Sequence, residues 1–369
     1  MQTSNRLFSL GLFSLGIVAL SFVPMAQAAP DIWGLKPGKI ELQSAGALAF
    51  GPEGILFVGD VKGGSIYAIQ TGDTKAASPA KIEVADLSGA IAKLLGSEAQ
   101  DVKVNDLAVN PETGSTFLSL AVGKPAKPAI VKVSTDGKLA AVPLDAPHSK
   151  ATLADAPESQ VTRRGDVRDD AITDLAFSNG KLLVSGLAKG KASSTVRELV
   201  FPFQDGATAT NIEIYHAAHG RVEDNAPVRT FVSMTIDGEP TLLAGFTCTP
   251  LVSFPIKAVT SGEKVRGTTV AELGNRNRPL DMIVYEKDGK SYVLMSNSAR
   301  GVMKVSLANV KQNPGLSEHV EGGGTAGQPF ETIKDLTGIE QLDRLDDTHA
   351  VIIARSPTGA LDLKTIDLP

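Results

Sequence analysis

From residue 47 to the C-terminal end, short apolar stretches alternate with polar positions and are cut by Gly, Asn-Gly and Asp-Gly signals. That period of two, with turn residues at the breaks, predicts strands and hairpins. Helical periodicity is nearly absent; only residues 87–95 suggest a short helix on a loop. Six segments share one grammar of short strand, turn, strongly apolar strand, small-residue turn and third strand. They begin at Ala47, Asn105, Thr173, Arg229, Leu280 and Ile339. Taking residues 47, 106, 174, 230, 281 and 340 as equivalent gives spacings of 59, 68, 56, 51 and 59 residues.

A repeat of this kind is the signature of an all-β ring, and the pattern predicts a six-bladed β-propeller. Further β-like pieces at residues 81–87, 139–144, 211–215, 268–273 and 331–336 supply fourth, outer strands. The sixth repeat lacks one, and residues 39–43 stand spare ahead of the first. The ring is therefore expected to be closed by this N-terminal strand lying beside residues 361–366. The 146–170 segment, rich in Ala, Pro, Asp and Arg, reads as a long loop rather than a seventh blade. Two packed β-sandwiches are the other arrangement weighed, and the regular spacing disfavours them.

The first 28 residues fit a secretory signal peptide: Arg6, an apolar run from Leu7 to Val23, and Ala26-Gln27-Ala28 as the cleavage site. A mature chain of residues 29–369 in one propeller domain, periplasmic or secreted and without a membrane span, is the expectation. The formal net charge is −5 and aromatics make up 5% of residues. With no basic block, that balance excludes nucleic acid as the main partner. The single cysteine, Cys248, has no internal disulfide partner, so the fold rests on its apolar core.

In a propeller blade the turns between strands one and two lie on one face. The turns between two and three, and the links between blades, lie on the other. The tidy Asn-Gly and Asp-Gly turns fall in the first set and the chemically rich segments in the second, which is where function is expected. His216 and His219 lie in the link from the third to the fourth repeat, and Cys248 in a middle turn of the fourth. Imidazole and thiolate suit copper or zinc, which makes these three the metal candidates. Arg229, Asn275, Arg276, Asn277, Arg278, Asn297 and Arg300 would form a cationic, amide-rich rim able to bind a small anion, with Asp281 beside it. The link from the second to the third repeat adds Arg163, Arg164, Asp166, Arg168, Asp169 and Asp170. Asp106, Asp174 and Asp281 open inner strands and should face the axial channel.

The segments 172–177, 215–220, 247–252 and 274–284 resemble those of an uncharacterised group of exported bacterial propeller proteins, over most of the mature chain. More distantly the blade grammar is similar to NHL, YVTN and gluconolactonase-like propellers. It lacks the compact spacing of the first two and the acidic metal-ligand pattern of the third, so the resemblance supplies no catalytic residue. Two functions remain in view: a site on the inter-blade face for a small anion, with or without a metal, and a non-enzymatic scaffold that docks a protein or glycan.

Overall fold

The computed structural model describes Met1 and residues 33–75, 81–163, 165–204 and 206–369. The signal-peptide expectation lies outside these residues. Trp33 to Pro369 form one compact unit, a six-bladed β-propeller. Numbered by their first strands along the chain, the blades are built as follows. Blade 1 holds Leu48–Phe50, Ile55–Asp60 and Ser65–Gln70, with His148–Thr152 outermost. Blade 2 runs Val102–Val109, Thr116–Val122, Lys127–Val133 and Leu139–Ala141, and blade 3 runs Asp174–Ser178, Lys181–Leu187, Ser194–Val200 and Thr208–His216. Blade 4 has Val228–Ile236, Glu239–Phe246, Pro250–Pro255 and Thr268–Leu273. Blade 5 has Pro279–Lys287, Lys290–Asn297, Gly301–Ser306 and Phe330–Ile333. Blade 6 has Ile339–Arg344, His349–Arg355 and Leu361–Asp367, with Glu83–Val84 outermost.

Local chemistry sets the hairpins. Asn179-Gly180, Asp237-Gly238 and Asp288-Gly289 all have both residues at positive φ, the mirror-image turn that matches strand twist. The second strands lie between neighbouring blades and are buried on both faces; Ile55–Asp60 is buried throughout. The core is thus a set of apolar seams between blades rather than one central mass. Residues 87–95 do form a helix, whose Leu87 and Ile91 fill the seam between blades 2 and 6.

These seams give the blade order, and it is not the chain order. Phe57 of blade 1 packs on Phe177 and Phe201 of blade 3, while Phe50 of blade 1 meets Phe117 of blade 2. The other side of blade 2 joins blade 6 through Leu107, Leu118, Val351 and Leu363. Blades 3, 4 and 5 share one cluster, and 5 and 6 another. The ring therefore reads 1–3–4–5–6–2. On leaving blade 1 the chain meets blade 2, where Asp73 takes hydrogen bonds from Asn110, Thr113 and Lys132. It next pairs with the edge of blade 6, where Thr365 N–H donates to Ile82 O at 2.9 Å, before building blade 2. Then it returns to blade 1 as His148–Thr152.

Three expectations are corrected here. The closing strand beside Leu361–Asp367 is Glu83–Val84, not residues 39–43. Residues 39–43 stay at blade 1, where Ile40 N–H donates to Leu144 O at 2.8 Å and Asp60 accepts from Gln43 and Ser44 N–H. Only residues 44–47 separate them from the inner strand of blade 1, a reach of roughly 13 Å, and blade 2 stands between blades 1 and 6. In consequence residues 81–87 serve blade 6 rather than blade 1. The supposed loop 146–170 supplies the outer strand of blade 1 instead.

Candidate functional site

The outer strand of blade 3 ends at His216, and the 3-10 turn Ala217–His219 follows, closed by Gly220 at φ 63°. Arg221–Glu223 then folds back, pairing His216 with Arg221 and Ile214 with Glu223. This reversal puts one carboxylate under two imidazoles. Glu223 Oε2 lies 2.9 Å from His216 Nδ1, and Oε1 lies 2.9 Å from both His219 Nδ1 and Arg221 Nε. Burial works against the Glu223 charge. Hydrogen bonds from His216, Arg221 and His219 outweigh it and hold the carboxyl at about 2. An ionised Glu223 can only accept, so each Nδ1 carries a proton, and in a neutral ring Nε2 then presents a lone pair. Burial depresses the His216 pKa, which keeps that ring neutral.

Cys248 approaches from the neighbouring blade. It sits in the turn between Glu239–Phe246 and Pro250–Pro255, with φ 68°, followed by Thr249 at φ 63°. Two consecutive left-handed non-glycine residues cost roughly 1–2 kcal/mol each. The inter-blade link 274–278 holds them there: Cys248 N–H donates to Asn277 O at 2.8 Å, and Thr249 Oγ1 donates to Gly274 O at 2.6 Å. One ligand atom from each of His216, His219 and Cys248 falls within 4.8 Å of the others. His216 is 1% exposed, and its Nε2 has no hydrogen-bond partner. A buried nitrogen without a partner, close to a second imidazole and a thiol, makes a group that could hold a metal ion through three donors.

These three groups open into a cavity of about 740 Å³. Arg229 and Arg278 line it, as do Arg163, Asp166 and Asp170 from the link between blades 2 and 3. Arg229 is tied by Nη1 to Asp170 at 2.6 Å and by Nε to Thr247 Oγ1 at 2.8 Å. Arg278 is exposed there.

The rest of the expected rim disperses. Arg276, at φ 54°, is exposed and does not line the cavity. Arg300 turns back to donate to Asn275 O at 3.1 Å. Asn277 and Asn297 are buried and bonded to each other at 3.0 Å, bracing the turn rather than facing a ligand.

Asp281 belongs elsewhere, in the axial channel with Asp106, Asp174 and Asp343, which line a separate space of about 710 Å³. Each carboxylate accepts a backbone N–H from the neighbouring blade: Asp106 from Leu48, Asp174 from Phe231, Asp281 from Leu342 and Asp343 from Val109. Desolvation raises all four, bringing Asp174 to about 7 and Asp343 to about 6. They are stitches between blades.

Two residues of the site escaped the sequence reading. Glu223 could have been found from its position four residues beyond His219. Glu272 could not: it is fully buried behind the 217–219 turn. There its Oε1 accepts Ala218 N–H at 3.1 Å, and desolvation raises it to about 7.

The sequence matches no protein-family model and no curated protein. The likenesses to solved structures are distant. The family 43 glycoside hydrolase endo-arabinanase from Bacillus licheniformis is 14% identical, covering 74% of this chain and 96% of that one, with a TM-score of 0.33. A putative glucose dehydrogenase from Thermus thermophilus is 13% identical, covering 90% and 100%, with a TM-score of 0.34. The plexin A4 extracellular region is 9% identical, covering 90% and 40%, with a TM-score of 0.43.

Proposed function

We propose that this propeller is an exported ligand-binding protein whose inter-blade face holds one copper or zinc ion on His216, His219 and Cys248, with a small anionic ligand beside it. The observation that carries the reading is Glu223. One carboxylate engages Nδ1 of both imidazoles and so leaves Nε2 of each for an ion, as outer-sphere carboxylates do at histidine metal sites. Metal bonds of about 2.0–2.3 Å can be satisfied by donors spaced this closely after small side-chain rotations. Three protein donors leave a position for a ligand from the cavity, where Arg229 and Arg278 supply positive charge. Export rests on the N-terminal pattern alone. No helix among the described residues is long and apolar enough to cross a membrane.

Metal analysis of protein purified without a histidine tag tests the reading. About one copper or zinc per chain is expected, lost in His216→Ala and in Cys248→Ser. Absence of metal after incubation with either ion at stoichiometric excess overturns it.

The same geometry favours one second reading. A thiol beside a histidine that a carboxylate orients is the constellation of a cysteine nucleophile. Iodoacetamide separates the two. A metal thiolate is protected by bound ion, whereas a histidine-activated thiol alkylates fastest in metal-free protein and slows tenfold or more in His219→Ala.

A further inference from the structure

The cavity holds its charges unequally. Its acids are all engaged: Glu223 by two histidines and Arg221, Asp170 by Arg229, and Asp166 by Ser159 Oγ, Gln160 N–H and Arg168 N–H. Among the described residues, the guanidinium groups of Arg163 and Arg278 have no partner. They come from different segments of the lining, Arg278 from the link between blades 4 and 5, Arg163 from a small hairpin in which Val161 pairs with Asp166 and Thr162 with Gly165. The base of that hairpin is pinned, since Arg168 donates to Val61 O, Lys62 O and Pro157 O at 2.7–2.9 Å. Arg163 lies in the turn of that hairpin, on the cavity lining.

A third part of the lining is apolar: Leu187, Ala226 and Pro227 are buried at the cavity wall. Inorganic oxyanions have no use for that surface and would leave most of a 740 Å³ space unfilled. Ligand pockets of 300–1,000 Å³ take organic molecules, with a few polar groups fixing orientation. Guanidinium groups match a carboxylate in plane and charge.

We infer that the ligand is an organic carboxylate with an apolar body, its carboxylate clamped between Arg163 and Arg278 and its body laid on the Leu187–Ala226–Pro227 wall. This deepens the anionic-ligand half of the proposed function and does not depend on which metal, if any, is bound.

Calorimetric titration of metal-loaded and chelator-treated protein with acetate, butanoate, hexanoate and inorganic phosphate is the test. Affinity should rise along the acid series by up to about fourfold per buried methylene, with hexanoate well ahead of phosphate. Arg163→Met and Arg278→Met should each weaken hexanoate about tenfold while metal content stays constant. Arg276→Met, whose side chain lies outside the cavity, should change nothing. Phosphate binding as tightly as hexanoate would overturn the inference and leave the broader anionic reading standing; no anion binding at all would remove both. Hexanoate binding that neither arginine variant weakens would also overturn the clamp. Carboxylate binding in protein that takes up no metal would sustain the clamp and remove only the metal.

Discussion

Raising the pH from 5 to 7 should destabilise this protein, because its axial stitches are carboxyl groups that fold as neutral acids. Asp174 shows the size of the effect. Desolvation in the channel is the main cause of its rise to about 7, and the charge of Asp343 adds to it; the N–H groups of Phe231 and Leu175 and the Thr230 hydroxyl only partly offset them. Unfolded, the same group titrates at 3.8. Between those values the folded chain holds a proton that the unfolded chain has lost. Stability is therefore greatest below the unfolded value and falls as pH rises toward 7, by about 1.4 kcal/mol per pH unit for one full proton. From pH 5 to 7, Asp174 alone accounts for about 2 kcal/mol. Asp343, raised to about 6, adds in the same direction, as do Asp106, Asp281 and Glu272. The depressed Asp73 and Glu223 are ionised in the folded chain throughout this window and nearly so in the unfolded one, so they oppose the trend only slightly, near pH 5. His216 opposes it below its ordinary value, since the unfolded ring takes up a proton that the buried ring refuses. Urea unfolding of the metal-free protein at half-unit pH steps should show the midpoint falling. Asp174→Asn should unfold at lower urea throughout, with a shallower slope. A midpoint that is flat or rises from pH 6.5 to 7.5, or a slope unchanged in Asp174→Asn, would refute the reasoning.

Glu223→Gln keeps the shape but offers one acceptor oxygen where two were used. Metal affinity, read by competition with a chromogenic chelator, should fall 10–100-fold. The closure can be trapped chemically: in a Cys248→Ser background, cysteines at Glu83 and Lys364, paired in register, should form a disulfide on mild oxidation. Cysteines at Glu41 and Leu363, placed to test the alternative closure, should not. Gly186→Ala should cost about 1–3 kcal/mol in urea unfolding, because its new Cβ would stand 2.2 Å from the backbone oxygen of Ala171.

The blades were legible because each carries its own local code. Asn179-Gly180 and Asp288-Gly289 specify their turns through φ, and runs such as residues 290–297 specify a strand buried on both faces. Blade order was not, because no residue in a strand records which neighbour it will face. That is decided by seam packing between residues far apart in sequence, such as Phe50 with Phe117 and Phe57 with Phe201. The convergence of His216, His219 and Cys248 followed from strand parity alone, since blades 3 and 4 happen to be consecutive in both chain and ring. Arg276 and Arg278 show the limit of the same logic. They lie two residues apart on one link, yet Arg278 lines the cavity and Arg276, in a left-handed conformation, does not.

The 1–3–4–5–6–2 order also has a meaning in time. A chain emerging from its N-terminal end produces blade 1 first, yet that blade lacks its outer strand until all of blade 2 has followed. Glu83–Val84 waits longer still, for a partner strand that ends two residues before the last residue. Nothing made early can be finished early, and a chain stopped short of residue 361 leaves open edges at both ends of its history. Such a ring is completed in one late event, when residues 361–367 arrive to take up Glu83–Val84.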